Sequence, residues 1–189
     1  MTTLIVLSVI LAVIVGLPLY VIFLYNRLVA SRNLVEDGWS GIDVQLKRRA
    51  NLIPNMVETV KGYAAHEKGV LEDVTQARAG AVNAQGPEQK QGAENMLTAA
   101  IGRLFAVAEA YPDLKADANF RNLQDQLVEI EDTIQKARRY YNGAVRRLNT
   151  MIEQFPSNLV AGQFRFQRAN YFEIEDPHSR AVPAVDFGS

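Results

Sequence analysis

The chain opens on an uncharged run from Leu4 to Tyr25, built mostly from Leu, Ile, Val, Ala and Phe and interrupted only by Ser8, Gly16 and Pro18. As a helix this run is ~33 Å long, enough to cross a hydrocarbon core of roughly 30 Å. Apolar side chains are stable there, and a helix satisfies its own backbone groups. Gly16 and Pro18 are tolerated in such a setting and predict a kink, not a break. A cleaved signal peptide would need a basic leading segment and a shorter apolar core. Met1, Thr2 and Thr3 carry no positive side chain, and Leu28-Val29-Ala30 is a poor cleavage site. The pattern therefore predicts a retained transmembrane anchor over residues 1–26.

After the anchor the pattern changes to a helical stripe. Leu28, Val35, Trp39, Ile42, Leu46, Arg49, Ile53, Met56, Val60 and Tyr63 step by seven and then by alternating fours and threes. That spacing is an apolar seam of the coiled-coil or bundle type. Neither Pro nor Gly lies between Pro18 and Gly38, so the membrane helix is expected to run straight into this one. Pro54 removes a ladder hydrogen bond, but the stripe stays in phase across it, which predicts a kink within one helix.

A turn near Gly62 and His66 precedes a second helix over about Glu67 to Val82, with Val70 or Leu71, Val74, Ala77 and Ala81 on one face. Gly86-Pro87-Glu88 reads as a helix start, with Pro at the first position and a carboxylate beside the positive helix end. The third helix carries Leu97, Ile101, Leu104, Ala108 and Tyr111, and Pro112-Asp113 begins a tight connection. The fourth has the cleanest pattern: Phe120, Leu123, Leu127, Ile130, Ile134, Ala137, Tyr141, Ala144, Leu148, Met151 and Phe155, a three-four repeat ended by Pro156. Short connections make neighbouring helices antiparallel. The expected fold is all-α: the anchor, then an antiparallel four-helix bundle at 27–175 with long first and last helices. A poorly ordered tail follows at 176–189. The antiparallel order returns Phe155 and the aromatic tail (Phe164, Phe166, Tyr171, Phe172) to the membrane surface, near Arg27, Arg32, Arg165 and Arg168. There the tail either caps the bundle or meets the lipid interface.

Charge adds orientation. No basic residue precedes the anchor, while Arg27 and Arg32 follow it closely. The positive-inside rule then places the N-terminus outside and the C-terminal domain in the cytoplasm. Basic and acidic residues are nearly balanced, 20 against 21, which argues against a nucleic-acid binder. The chain has no cysteine, which excludes disulfides, thiolate metal sites and palmitoylation.

Enzyme motifs are missing. His66-Glu67 lacks the second histidine of a helical zinc site. Glu175 and His178 have a di-iron spacing, but Pro177 between them argues against a helix. There is no Gly-rich phosphate loop. No enzyme activity, metal or cofactor is expected, and His66 reads as a turn residue. The polar residues beside the seams matter more. Arg48 and Arg49 on the first helix and Glu109 on the third can meet Glu131, Arg138, Asn142, Arg146 and Asn149 on the fourth. The plain reading is ion pairing that sets helix register; the functional one is partner docking by Arg48, Arg49, Glu131, Arg138 and Asn142. Arg49 itself is expected to pack its stem and pair its head with a carboxylate at the bundle edge. On the membrane helix, Ser8, Ala12 and Gly16 recur every fourth residue, a spacing that permits close helix approach and self-association into a homo-oligomer.

Several segments together resemble the LemA family: Leu46-Lys-Arg-Arg-Ala-Asn-Leu-Ile-Pro-Asn55, Gly62-Tyr-Ala-Ala-His-Glu67, Glu109-Ala-Tyr-Pro-Asp-Leu-Lys115, Ala137-Arg-Arg-Tyr-Tyr-Asn142, Phe155-Pro-Ser-Asn-Leu-Val-Ala161 and Val182-Pro-Ala-Val-Asp-Phe187. They occur in the family's order from about Tyr25 to Phe187. The resemblance implies a bacterial single-pass protein of the cytoplasmic (inner) membrane with a cytoplasmic helical bundle, and no catalytic residues. It also implies membrane-organising roles for some relatives and a membrane metalloprotease as a functional neighbour. The leading expectation is a scaffold or adaptor in contact with the lipid bilayer and with protein partners of unknown identity. The alternative is an accessory or regulatory subunit of a membrane protease.

Overall fold

The computed structural model describes residues 1–173, and among these it contains helices and no strand. Helix α1 spans Thr2–Tyr63, so the uncharged run and the first seam are one helix. Leu4, Leu7, Leu11, Ile14, Leu17, Leu19, Ile22 and Phe23 are exposed; from Leu24 onward one face is buried, through Leu28, Val35, Ile42, Leu46, Arg49, Ile53, Met56 and Val60. The stripe ends one residue later than expected: Tyr63 is exposed and Ala64 is buried in its place.

The helix continues through Pro54 because a partner replaces what proline removes. Without an N–H at Pro54, the carbonyl of Ala50 has no helical donor. The Arg78 Nε donates to that carbonyl at 2.7 Å. Arg78→Leu is expected to leave a buried carbonyl unsatisfied and to cost about 1–3 kcal/mol. Chemical denaturation followed by helical circular dichroism would check this, with Arg78→Lys, which keeps a donor, retaining part of the difference.

Helix α2 covers Lys68–Asn83 and buries Leu71, Val74, Ala77 and Ala81, resolving the choice between Val70 and Leu71. His66 lies exposed in the turn before it. Helix α3 covers Gly86–Glu109. Gly86 has φ +69, a left-handed conformation that excludes most side chains, and Pro87 follows it at the helix start. The connection expected at Pro112 contains a short helix, α4, Pro112–Ala116, which buries Leu114. Helix α5 covers Ala118–Glu153 and buries Phe120, Leu127, Ile134, Tyr141, Ala144, Val145 and Leu148. Phe155, the expected last step of that seam, is instead exposed beyond the helix end. A further short helix, α6, Ser157–Gln163, was not anticipated. Its buried face is only Ser157, Val160 and Ala161, too short to register as a period. The expected poorly ordered tail at 176–189 lies outside the described residues.

The chain divides into two compact units, with boundaries inside α1 and α5. The first comprises Met1–Ile42 and Ala137–Tyr171. Its helices approach closely at Gly38, where an added Cβ would lie 3.2 Å from the Tyr141 Cα. Trp39 packs on Tyr141 with ring centroids 5.8 Å apart. The second unit comprises Asp43–Lys136 and the described residues from Phe172 on. Its core joins Ile53, Met56 and Val60 of α1 to Val74 and Ala81 of α2, Leu97, Ile101 and Leu104 of α3, Leu114, and Phe120 and Leu127 of α5.

One cap in the second unit makes a pH prediction. The Asp117 carboxylate accepts from the backbone N–H of Phe120 at 2.9 Å and from the Tyr63 hydroxyl at 3.0 Å, capping α5. These bonds, the backbone one first, hold the Asp117 carboxyl below its ordinary range. Tyr63 is pushed up by the same hydrogen bond. A depressed carboxyl stabilises the fold fully above its unfolded pKa of about 3.9, and that contribution fades as pH falls through the lower folded value. Asp117→Asn should flatten the acid limb of a Tm-against-pH curve while the two proteins differ least in slope near neutrality.

Candidate functional site

A group of charged residues meets at a site inside the second unit. Arg49 is 2% exposed and Glu94 1%. The Arg49 Nη2 bonds the Glu94 carboxylate directly. Its Nη1 donates to Glu131 Oε2 at 2.8 Å and to Thr98 Oγ1 at 3.2 Å. The Nε is buried with no partner among the described residues. One turn back on α3, the buried Lys90 Nζ donates to the Ala81 carbonyl at 2.7 Å, closing the C-terminal end of α2, and lies 3.9 Å from Asp43. A shallow cavity of about 240 Å³ opens beside this group, lined in part by Ala50, Arg78, Lys90 and Glu94.

This differs from an edge pair in one respect. Arg49 does reach Glu131, but its closest carboxylate is the fully enclosed Glu94. A charge moved out of water costs several kcal/mol unless it is paired and hydrogen-bonded, and Arg49 meets both conditions through Glu94, Glu131 and Thr98. The Arg49 guanidinium is enclosed between Glu94, Glu131 and Thr98. Arg48, its neighbour, is exposed and faces Gln45 at 3.5 Å. Glu109 does not join the group; it pairs with Lys115. Arg138 and Asn142 belong to the first unit, where both are half-buried and engaged.

Glu94, Thr98 and Lys90 are the residues that sequence reasoning missed, and a signal for two of them was present. The α3 seam of Leu97, Ile101, Leu104 and Ala108 extends backward in the same four-three rhythm through Glu94 and Lys90. Charged residues on an apolar seam point to a partner charge, and Arg49 occupies the same kind of position on α1.

In the first unit, the exposed apolar part of α1 ends at a cluster of rings. Tyr25 packs on Phe164 at 4.8 Å and on Phe166 at 5.9 Å between centroids. The Arg32 guanidinium lies over the Phe166 ring at 5.8 Å. The segment after α6 is fixed by Asn149, whose amide exchanges two hydrogen bonds of 2.9 Å with the Ala169 backbone. The Tyr141 hydroxyl adds a bond to the Asn170 carbonyl at 2.8 Å, and burial pushes that phenol up. Ser8, Ala12 and Gly16 lie exposed on α1; the Ser8 hydroxyl bonds the Ile5 carbonyl of its own helix at 2.8 Å, and a Cβ at Gly16 would meet nothing within 4 Å. Among the described residues no group of three or more His, Asp or Glu is arranged to hold a metal.

Residues 38–187 match the LemA family. The chain belongs to the LemA family. It is 31% identical over 175 residues to magnetosome protein MamQ 2 of Paramagnetospirillum magneticum, an alignment covering 79% of this chain and 64% of that protein. It is 28% identical over 174 residues to MamQ of Magnetospirillum gryphiswaldense, covering 78% and 64%. It is 26% identical over 155 residues to protein LemA of Metamycoplasma hominis, covering 80% and 69%. The chain thus spans less than two thirds of the length of the MamQ proteins it matches. None of these names denotes an enzyme. With the one long apolar helix near the N-terminus, they point to a membrane-associated helical protein.

Proposed function

We propose that this chain is a single-pass protein of the bacterial cytoplasmic membrane that acts as a scaffold or adaptor for partner proteins. The observation that carries the reading is α1: the same helix exposes an apolar stretch of membrane-crossing length and then supplies core side chains to the helical body. Such a helix transmits position from the bilayer to whatever the body binds. Membership in the LemA family and likeness to the MamQ proteins support the membrane association. The same reading takes the N-terminus as outside, the body as cytoplasmic, and the helices after the anchor as an antiparallel four-helix arrangement with coiled-coil-type seams.

Partner docking is assigned to side chains that the body leaves open or half-open: Arg48 and Glu131 in one unit, Arg138 and Asn142 in the other. Capture of the tagged full chain from detergent-solubilised membranes should retain several proteins below stoichiometry. A single stoichiometric protease would favour the accessory-subunit reading instead. Arg138→Ala that stays folded and keeps every captured protein would remove Arg138 from the docking set. The Ser8, Ala12 and Gly16 line is proposed to bring two copies together in the bilayer. Gly16→Ile is then expected to weaken the dimer band in a crosslinking ladder from detergent, and an unchanged ladder would end that proposal.

A further inference from the structure

Helix α6 is built as a surface element with its apolar side turned the wrong way for water. Ser157, Val160 and Ala161 face inward and use up its buried face. The opposite face carries Leu159, which is 64% exposed. Phe155 just before the helix is 74% exposed, and Phe164 just after it 52%. Three large apolar side chains within ten residues, all left open, call for an apolar partner.

Where these side chains sit relative to α1 says which partner. Phe164 and Phe166 pack on Tyr25, the last residue of the uncharged run. If that run crosses a bilayer, Tyr25 lies at its edge, and α6 is held at the same depth. Asn149 and Tyr141 fasten the backbone just beyond α6, at Ala169 and Asn170. Arginines surround the same place. Arg32 lies over Phe166 and pairs with Glu36 at 3.7 Å, and Arg168 pairs with Glu153 at 3.0 Å. Arg27 and Arg165 are exposed and carry no ion partner among the described residues. Aromatic rings beside arginines, at the end of an apolar helix, match the chemistry of the headgroup layer: amphipathic rings at the boundary, positive charge toward anionic phosphates.

We infer that α6 with its flanking Phe155 and Phe164 is a second membrane contact, an interfacial foot that lies in the headgroup layer of the bilayer that α1 crosses, with Arg27 and Arg165 on anionic lipid headgroups. The inference rests on the anchor reading above. It makes the bilayer a two-point support, which fixes the tilt of the first unit at the membrane instead of leaving it on a single tether.

The chain has no cysteine, so single-cysteine variants of the full chain accept one nitroxide label each. Labels at Leu159→Cys and Phe155→Cys are placed in phosphatidylcholine vesicles containing phosphatidylglycerol. Ile14→Cys reports the anchor, and Asp125→Cys on exposed α5 reports water. Collision rates with oxygen and with a water-soluble nickel chelate then give depth. The foot predicts an oxygen-to-chelate ratio at 155 and 159 several-fold above that at 125, and below that at 14. Ratios at 155 and 159 equal to that at 125, with 14 deep in the bilayer, would overturn the foot and leave the anchor standing. A water-exposed label at 14 would overturn both. Omitting phosphatidylglycerol, or combining Arg27→Gln with Arg165→Gln, should lower the ratio at 159; no change in either would overturn the assignment of the two arginines.

Discussion

Deletion of residues 2–21 is expected to move the chain from the membrane pellet to the supernatant. The deleted stretch holds most of the exposed apolar surface of α1, and nothing else in the described chain is long and apolar enough to replace it. The cut is placed before Leu24 because Leu24 and Leu28 are already buried in the first unit, so a longer deletion would open that core as well. Sedimentation of lysates after a carbonate wash checks the outcome. A weaker form of the same experiment puts one charge in the run: Ile14→Arg adds about 2.5–3.5 kcal/mol to insertion at the centre of a span. Full-length chain recovered from the supernatant without detergent would show that the run does not anchor it.

Arg49→Ala is expected to destabilise the fold by about 3–5 kcal/mol, the cost of leaving a buried partner charge without its ion. That is a large share of the 5–15 kcal/mol that holds an ordinary domain together. The stranded group is Glu94, since Glu131 is partly exposed and can return to water. The double variant Arg49→Met with Glu94→Leu removes both charges and fills the same space. It should recover most of the loss, because well-packed apolar replacements of a buried pair are often neutral or better. Urea unfolding in detergent, followed by circular dichroism at fixed pH, would compare the two. If Arg49→Ala unfolds with the unsubstituted chain, the network contributes nothing to stability. If the double variant is as unstable as the single one, the loss does not come from a stranded Glu94 charge.

These two residue sets mark how far the pattern could be read. The apolar run was legible because hydrophobicity over the length of a bilayer needs no tertiary partner. The seams of α1, α2, α3 and α5 were legible for a related reason: a helix that buries one face must repeat its apolar residues every three or four positions. Arg49 could be recognised as a charge out of place on such a seam. Its partner Glu94 sits on another helix, and a periodic pattern records which residues face inward without naming what they face. The short helices α4 and α6 fell below the length at which a period can be seen. Tyr63 and Phe155 kept the period but lie where the packed partner ends, so they are exposed.

By itself, the order of apolar and polar residues determined that this protein is helical, where most of its long helices lie, and that one end suits a membrane. Those properties depend on spacing along one chain, and spacing is local. Only the tertiary structure decided that Arg78 answers the carbonyl released by Pro54, that Arg49 finds Glu94 and Glu131, and that Phe164 and Phe166 close on Tyr25. Each joins residues far apart in sequence, and the physical cause is the same in all of them. A buried polar group or a large apolar surface must be satisfied by whatever the fold brings beside it, and that neighbour is set by packing in three dimensions.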